Sequence, residues 1–270
     1  MPTRRQAYEA RLKRRSAVIA GASTLCVLAA IFLLVPLAPG WPAVKKSFFN
    51  AEVFAKTFPG LLDAFVWDVA IFLWSAPMIF LLGLIIALAR DARSPALYPL
   101  RLFGMLYTDI FRGVPVILVI YLIGFGIPGL GLPRPWNSPF IWGTVALVLT
   151  YSAYVAEVFR TGIEGVHQSQ RAAAQSLGLS NRDTMRYVVL PQAIRKVVPA
   201  NMNLFIALQK DVALLSFIGP VEIFRQAGVY KSLLANFTPY VGAAIIFLAI
   251  TIPATRYADY LLAKQLRERT

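Results

Sequence analysis

The sequence predicts an all-α membrane protein, a polytopic helical bundle of about six transmembrane helices with one long loop on the cytoplasmic side. Three observations carry that reading. The chain is 58% hydrophobic and only 15% charged over its 270 residues, whereas a soluble domain carries about 25% charged residues. Its apolar residues fall in blocks near the ~20 that a helix needs to cross a bilayer. Its lysines and arginines collect in alternate connections between those blocks. Barrel strands would be ~10 residues long with alternating polarity, and these blocks are neither. Helices satisfy every backbone N–H and C=O without water, which the membrane core demands.

Six spans are read along the chain, roughly at Ala17–Leu37, Ala64–Ala89, Met105–Ile127, Phe140–Phe159, Val197–Phe217 and Tyr240–Leu262. The first resembles a signal peptide in position, but its apolar core exceeds the usual 7–15 residues. Pro36, Pro39 and Pro42 follow it in place of a small-x-small cleavage site, so it reads as a retained anchor. The fourth and fifth are weaker by hydropathy, because each contains ionisable or amide residues. Trp41, Trp136, Trp142 and Tyr240 lie near span ends and suit the interfacial aromatic belt. The lone Cys26 sits in the first apolar run, excludes an internal disulfide and reads as a small buried hydrophobe.

The formal net charge is +14. In a soluble protein that would suggest nucleic acid; here the placement of the charge explains it. One side of the membrane holds 19 Lys and Arg, in the N-terminal tail (Arg4, Arg5, Arg11, Lys13, Arg14, Arg15), the loop with Arg90, Arg93 and Arg101, the segment from Arg160 to Lys196, and the C-terminal end (Arg256, Lys264, Arg267, Arg269). The other side holds 6: Lys45, Lys46, Lys56, Arg134, Arg225 and Lys231. Arg112 and Lys210 fall within spans. The positive-inside rule places both termini in the cytoplasm, with a lipid bilayer and no nucleic acid as the partner that the charge requires.

Residues 161–196 form the longest cytoplasmic loop. The segment from Gln168 to Leu177 is rich in strong helix formers, and Gly178 suits the left-handed C-cap. Ser180 and Asp183 match a capping box, and a second short helix is expected to run to about Val189, before Pro191. Ala172, Ala173 and Ala174 offer small side chains against which another backbone can approach. Such a helix either lies on the bundle or lipid surface or docks a cytoplasmic partner. His167 reads as a solvated or interface residue.

The spacing Ala172-Ala173-Ala174-x3-Gly178-x9-Val188-x-Leu190-Pro191 resembles the EAA signature of ABC importer permeases, Glu-Ala-Ala-x3-Gly-x9-Ile-x-Leu-Pro, with Ala172 at the acidic position and Val188 at the isoleucine. Phe111-Arg112-Gly113-Val114-Pro115, the run Tyr154 to Ile163, Leu177-Gly178-Leu179-Ser180, Leu190-Pro191-Gln192-Ala193 and Leu208 to Ser216 are similar to stretches of the polar amino acid subfamily. The resemblance covers roughly residues 60–262. It implies a permease core at 61–262 with a coupling loop at 161–196, an N-terminal addition at 1–60 (tail, extra span and outer loop) and a cytoplasmic tail at 263–270. It implies that Gln170, Ala172, Ala173, Ala174, Gly178, Leu190 and Pro191 serve coupling to an ATPase, Gln168–Leu177 forming the coupling helix. The partners it implies are a pair of ABC ATPase subunits, a second permease subunit, identical or paralogous, and an extracytoplasmic amino-acid-binding protein. The setting it implies is the bacterial cytoplasmic membrane. The chain has no Gly-x4-Gly-Lys-Ser/Thr phosphate loop, so ATP and Mg²⁺ are expected on the ATPase partner and no cofactor in this chain.

Charged groups inside spans mark a pathway or an internal pair. A zwitterionic amino acid needs an acceptor for its ammonium group, for which Glu157 and Asp211 are candidates, and donors for its carboxylate, for which Lys210 and the amides of Asn203 and Gln209 are candidates. Asn201, Asp68 and Asp109 are further polar groups in spans. The same residues also read as internal pairs, such as Glu157 with Lys210 or Arg112, and Arg112 reads as a boundary residue snorkelling to headgroups. Pro191 and Pro199 flank the start of the fifth span, where a bend is expected. An embedded enzyme needs a nucleophile–base set or metal cluster, which one His, one Cys and scattered carboxylates do not supply. The alternative is an ion-coupled secondary transporter using Glu157 or Asp211 as a proton relay.

Overall fold

A computed structural model describes residues 4–92, 94–219 and 221–267, with all side chains among them except those of 4–11, 13, 265 and 266. Arg93, Arg269 and the side chains of Arg4, Arg5, Arg11 and Lys13, which enter the basic count, lie outside the described residues, as do residues 1–3 and 268–270 of the tails.

The described chain is a bundle of long helices. Helix α1 (Arg4–Leu34) is the apolar anchor; none of its span is buried against the rest of the chain. Cys26 is therefore exposed rather than buried. The short α2 (Trp41–Phe48) leads to α3 (Ala51–Asp91). Asn50 starts α3 by accepting the N–H groups of Glu52 and Val53. At 41 residues α3 is about 60 Å long, twice the bilayer core. The sequence reading places its start at Ala64, but the polar turns from Ala51 continue the helix without a break. That extra length packs on α10 (Ile223–Leu234) and α11 (Thr238–Arg267) around Leu61, Phe65 and Ile223, a small core of its own.

The expected third span, Met105–Ile127, is not one straight helix. Helix α4 (Tyr98–Gly113) and helix α5 (Val116–Gly126) meet at a 106° bend when taken with their flanking turns. Pro115 lacks an N–H and forces Val114 out of helical geometry, to φ −102°, ψ 133°. Helix α6 (Pro139–Glu164) is the central element, with much of its length buried against α3, α5 and α9. Close crossings make this possible. A Cβ at Gly83 would lie 2.6 Å from Val155 Cγ1, and one at Gly162 would lie 2.3 Å from Val197 Cγ1 and 3.2 Å from the Ala193 carbonyl, so small residues set the approach.

After α6 comes the hairpin: α7 (Gln168–Ser176), then α8 (Asn181–Asp183), a π-helical turn at Thr184–Val189, and α9 (Leu190–Asp211). The second short helix does not stop before Pro191. The Leu190 N–H donates to the Met185 carbonyl, five residues back, and this wider turn admits Pro191 at a first-turn position where no N–H is required. The fifth span thus starts at Leu190 rather than Val197 and ends at Asp211, with residues 212–217 in 3₁₀ form. Among the described residues, four helices are long and apolar enough to cross a membrane, and the bent pair α4–α5 makes a fifth. Helix α9 is 22 residues long, about 33 Å, but too polar to meet the same test.

Candidate functional site

The hairpin is built from local rules. His167 caps α7, its Nδ1 accepting the Ser169 N–H at 3.3 Å. Gly178 ends the helix at φ +85°, and the Leu179 N–H reaches back to the Ala174 carbonyl at 3.2 Å, a Schellman closure that a side chain at Gly178 would strain. The Ser180 hydroxyl accepts the Asp183 N–H at 3.1 Å and donates to its Oδ2 at 2.6 Å. Gln175 donates across the turn to Asn181 at 2.7 Å.

Five contacts, made by three side chains, then bind the hairpin to the spans. Arg171 donates to the Ile163 carbonyl at 3.0 Å and stands 3.8 Å from Asp91 at the end of α3. Lys196 donates to the Gly165 carbonyl at 2.6 Å. Gln192 donates to Gln170 at 2.5 Å and to the Val188 carbonyl at 2.9 Å. The hairpin is therefore tied to α3, α6 and α9 together.

The three alanines do not form one face. Successive helical residues are about 100° apart, and Ala174 is buried against the chain while Ala172 and Ala173 are exposed. The exposed ridge runs instead from Gln170 through Ala173 to Leu177, the last 82% exposed. Sequence reasoning missed Leu177, although its spacing of four from Ala173 was the available signal.

The polar groups inside the bundle divide into two sets. Glu157 on α6 does not meet Lys210. It accepts from Arg90 on α3 at 2.8 Å, pairs with Arg160 and stands 3.4 Å from Arg112 on α4. Arg112 is thus part of this cluster rather than only a boundary residue, and it also lies 6.0 Å from the Tyr154 ring centroid. Arg160 continues to Glu164. One carboxylate accordingly joins the basic ends of α3, α4 and α6. The sequence reads Arg90 only as a loop charge; its place at the end of a span is the signal that it turns inward.

The second set lies on α9 and its neighbours. Asp211 Oδ2 accepts the Tyr151 hydroxyl at 2.8 Å. Gln209 and Asn201 are buried, and Gln209 Nε2 and both polar side-chain atoms of Asn201 have no partner among the described residues. Asn203 and Lys210 are exposed and, seven residues apart, share a helix face. An exposed ammonium and amide on a membrane helix suit water or another subunit rather than lipid. At the end opposite the hairpin, Asp68 is fully buried and accepts the Ile223 N–H at 3.1 Å, while Glu222 caps α10 through the amides of Phe224 and Arg225. Burial pushes the Glu222 carboxyl up to about 7, against the pull of those two amides.

A multi-pass helical bundle, a hairpin fixed to three long helices and a polar face on one span define a membrane transport subunit. The chain belongs to the family described as binding-protein-dependent transport system inner membrane component, whose profile matches residues 79–267. It is 35% identical to the probable amino-acid permease protein YxeN of Bacillus subtilis (strain 168), over 74% of this chain and 89% of that protein. It is 32% identical to the probable glutamine ABC transporter permease protein GlnM of the same organism, over 78% and 96%. The crystal structure of an amino acid ABC transporter superposes with a TM-score of 0.71 at 30% identity, covering 80% of this chain and 98% of that one. The family places the chain in the inner membrane as a multi-pass protein.

Proposed function

We propose that this chain is the membrane-spanning subunit of an ATP-driven importer for polar amino acids. The single observation that carries the proposal is the hairpin: an exposed ridge at Gln170, Ala173 and Leu177, backed by contacts that transmit its movement to α3, α6 and α9. The names of the relatives supply the substrate class. In this reading a separate pair of ATPase subunits binds ATP and Mg²⁺ and seats the ridge. Leu190 and Pro191 form the stiff root of α9, and Gly178 shapes the turn. A second permease, identical or paralogous, covers the exposed polar face of α9, so that Asn203 and Lys210 line the path between the two subunits. Asp211, Gln209 and Asn201 lie behind that face, and Glu157 holds the basic end together. An extracytoplasmic binding protein delivers the amino acid. The hairpin and both termini face the cytoplasm, where the basic residues gather.

The test is uptake by sealed vesicles holding this chain with its ATPase, partner permease and binding protein. Accumulation of a polar amino acid is expected only with ATP inside the compartment reached by the hairpin. Vesicles with this chain alone are expected to show none under a proton or sodium gradient. Gradient-driven accumulation by the chain alone would replace this reading with the secondary transporter.

A further inference from the structure

Between the hairpin and the end of α3 lies a cleft of about 770 Å³. Its floor is apolar, made by Leu88, Leu97, Met185 and Leu190. Its rim is cationic: Arg171, Arg182 and Arg186 stand there against the one carboxylate of Asp91. Asp91 is already engaged by Arg171. Arg182 and Arg186 are exposed and form no ion pair among the described residues. Arg186 rests 5.4 Å from the Tyr187 ring centroid, a contact that holds the guanidinium without using its N–H donors.

A buried, unpartnered polar group borders the same space. Thr184 lines the cleft, is 3% exposed, and its hydroxyl has no hydrogen-bond partner among the described residues. Buried hydroxyls are ordinarily bonded, so this one is a half-made contact.

We propose that the cleft seats the phosphate headgroup of an anionic phospholipid from the cytoplasmic leaflet. Arginine forks match phosphate oxygens in geometry and charge, and the Thr184 hydroxyl supplies one further donor. The apolar floor fits the glycerol and upper acyl carbons. Three and six residues beyond Leu97, Leu100 and Phe103 on α4 share a helix face and are exposed, a surface along which acyl chains lie. A soluble phosphate has no use for that apolar continuation. The bound lipid bridges the hairpin and α3, the same junction that Arg171 and Asp91 span, and so stiffens the coupling element. This inference rests on the cytoplasmic placement of the hairpin, where anionic lipid gathers basic side chains.

The experiment uses the full chain, purified in mild detergent with its co-purifying subunits. Its melting temperature is followed while phosphatidylglycerol, phosphatidylcholine or inorganic phosphate is added. Phosphatidylglycerol is expected to raise the melting temperature saturably, and the other two are not. The double variant Arg182→Ala/Arg186→Ala changes two exposed residues and keeps the fold. It is expected to need about 30-fold more phosphatidylglycerol, the factor that two basic contacts contribute at an anionic surface. Thr184→Val is expected to weaken the response further than its loss of a hydroxyl alone changes the unliganded melting temperature. An equal phosphatidylglycerol response in wild type and double variant overturns the proposal. So does a full response to inorganic phosphate alone, or an acidic protein that occupies the cleft and displaces the lipid. If the lipid response fails while the ATPase still co-purifies, only the lipid seat is lost. Wild-type chain that carries no ATPase sinks the hairpin reading instead.

Discussion

In an Ala173→Glu variant, ATP-dependent uptake is expected to fall about 100-fold while the amount of inserted, folded protein stays at the wild-type level. Ala173 is exposed on α7, so a larger side chain there projects outward. In the proposed importer its ridge is covered by the ATPase. A carboxylate without a partner in a dry interface costs ~3 kcal/mol or more, and that is a factor of ~100 in docking affinity. Ala172→Glu is the control. It restores the acidic residue of the signature, lies about 100° around the helix, and is expected to retain uptake. Uptake measured in vesicles, with insertion followed by fluorescence size-exclusion, separates the outcomes. Equal loss in both variants would mean that charge anywhere on α7 is harmful, and normal uptake in Ala173→Glu would remove the docking role of the ridge.

The second large effect belongs to Glu157. Its carboxylate is the common partner of Arg90, Arg160 and Arg112. Glu157→Ala leaves three guanidinium groups converging at the basic end of α3, α4 and α6. Breaking a fully buried pair costs ~3–5 kcal/mol; with a Glu157 side chain 20% exposed and Arg112 40% exposed, the cost here is about 2–3 kcal/mol after allowance for solvent screening. The melting temperature in detergent is expected to fall by about 5–10 °C. Adding Arg90→Ala to Glu157→Ala is expected to recover part of the loss, because the closest unpaired charge is removed with its partner. A double variant as unstable as the summed singles would show that the three arginines do not depend on Glu157.

Much of this molecule is legible in its sequence, for particular physical reasons. The apolar blocks identify α1, α6 and α11 because lipid tolerates few alternatives. Gly178, Ser180 and Asp183 announce the hairpin because each satisfies a backbone requirement that other residues meet poorly. The failures are equally specific. Pro115 and Pro191 look alike as helix breakers, yet one bends a span by 106° and the other is absorbed by a π-turn; the difference lies in tertiary contacts that one sequence does not display. The first ten residues of α3 are too polar to read as membrane, yet Phe54 and Phe58 pack by Gly242 on α11 and Gly60 lies against Tyr230 on α10. Three consecutive alanines suggest a common face, but helical geometry divides them. Glu157 has several arginines within reach along the chain, and only the packing of α3 beside α6 selects Arg90. The polar residues of α9 are visible as a set, while their separation into a buried and an exposed group is not.

Coupling in the proposed importer depends on contact between the α7 ridge and an ATPase subunit. A Leu177→Cys substitution in a Cys26→Ser background tests it most directly, since Leu177 is 82% exposed on the ridge and Cys26 is the only native thiol. With a short bifunctional thiol reagent, the assembled importer is expected to yield a covalent product between this chain and the ATPase subunit, and the yield is expected to change when ATP is bound. An introduced ridge thiol that reacts fully with a soluble maleimide in the intact assembly and never joins the ATPase would contradict it.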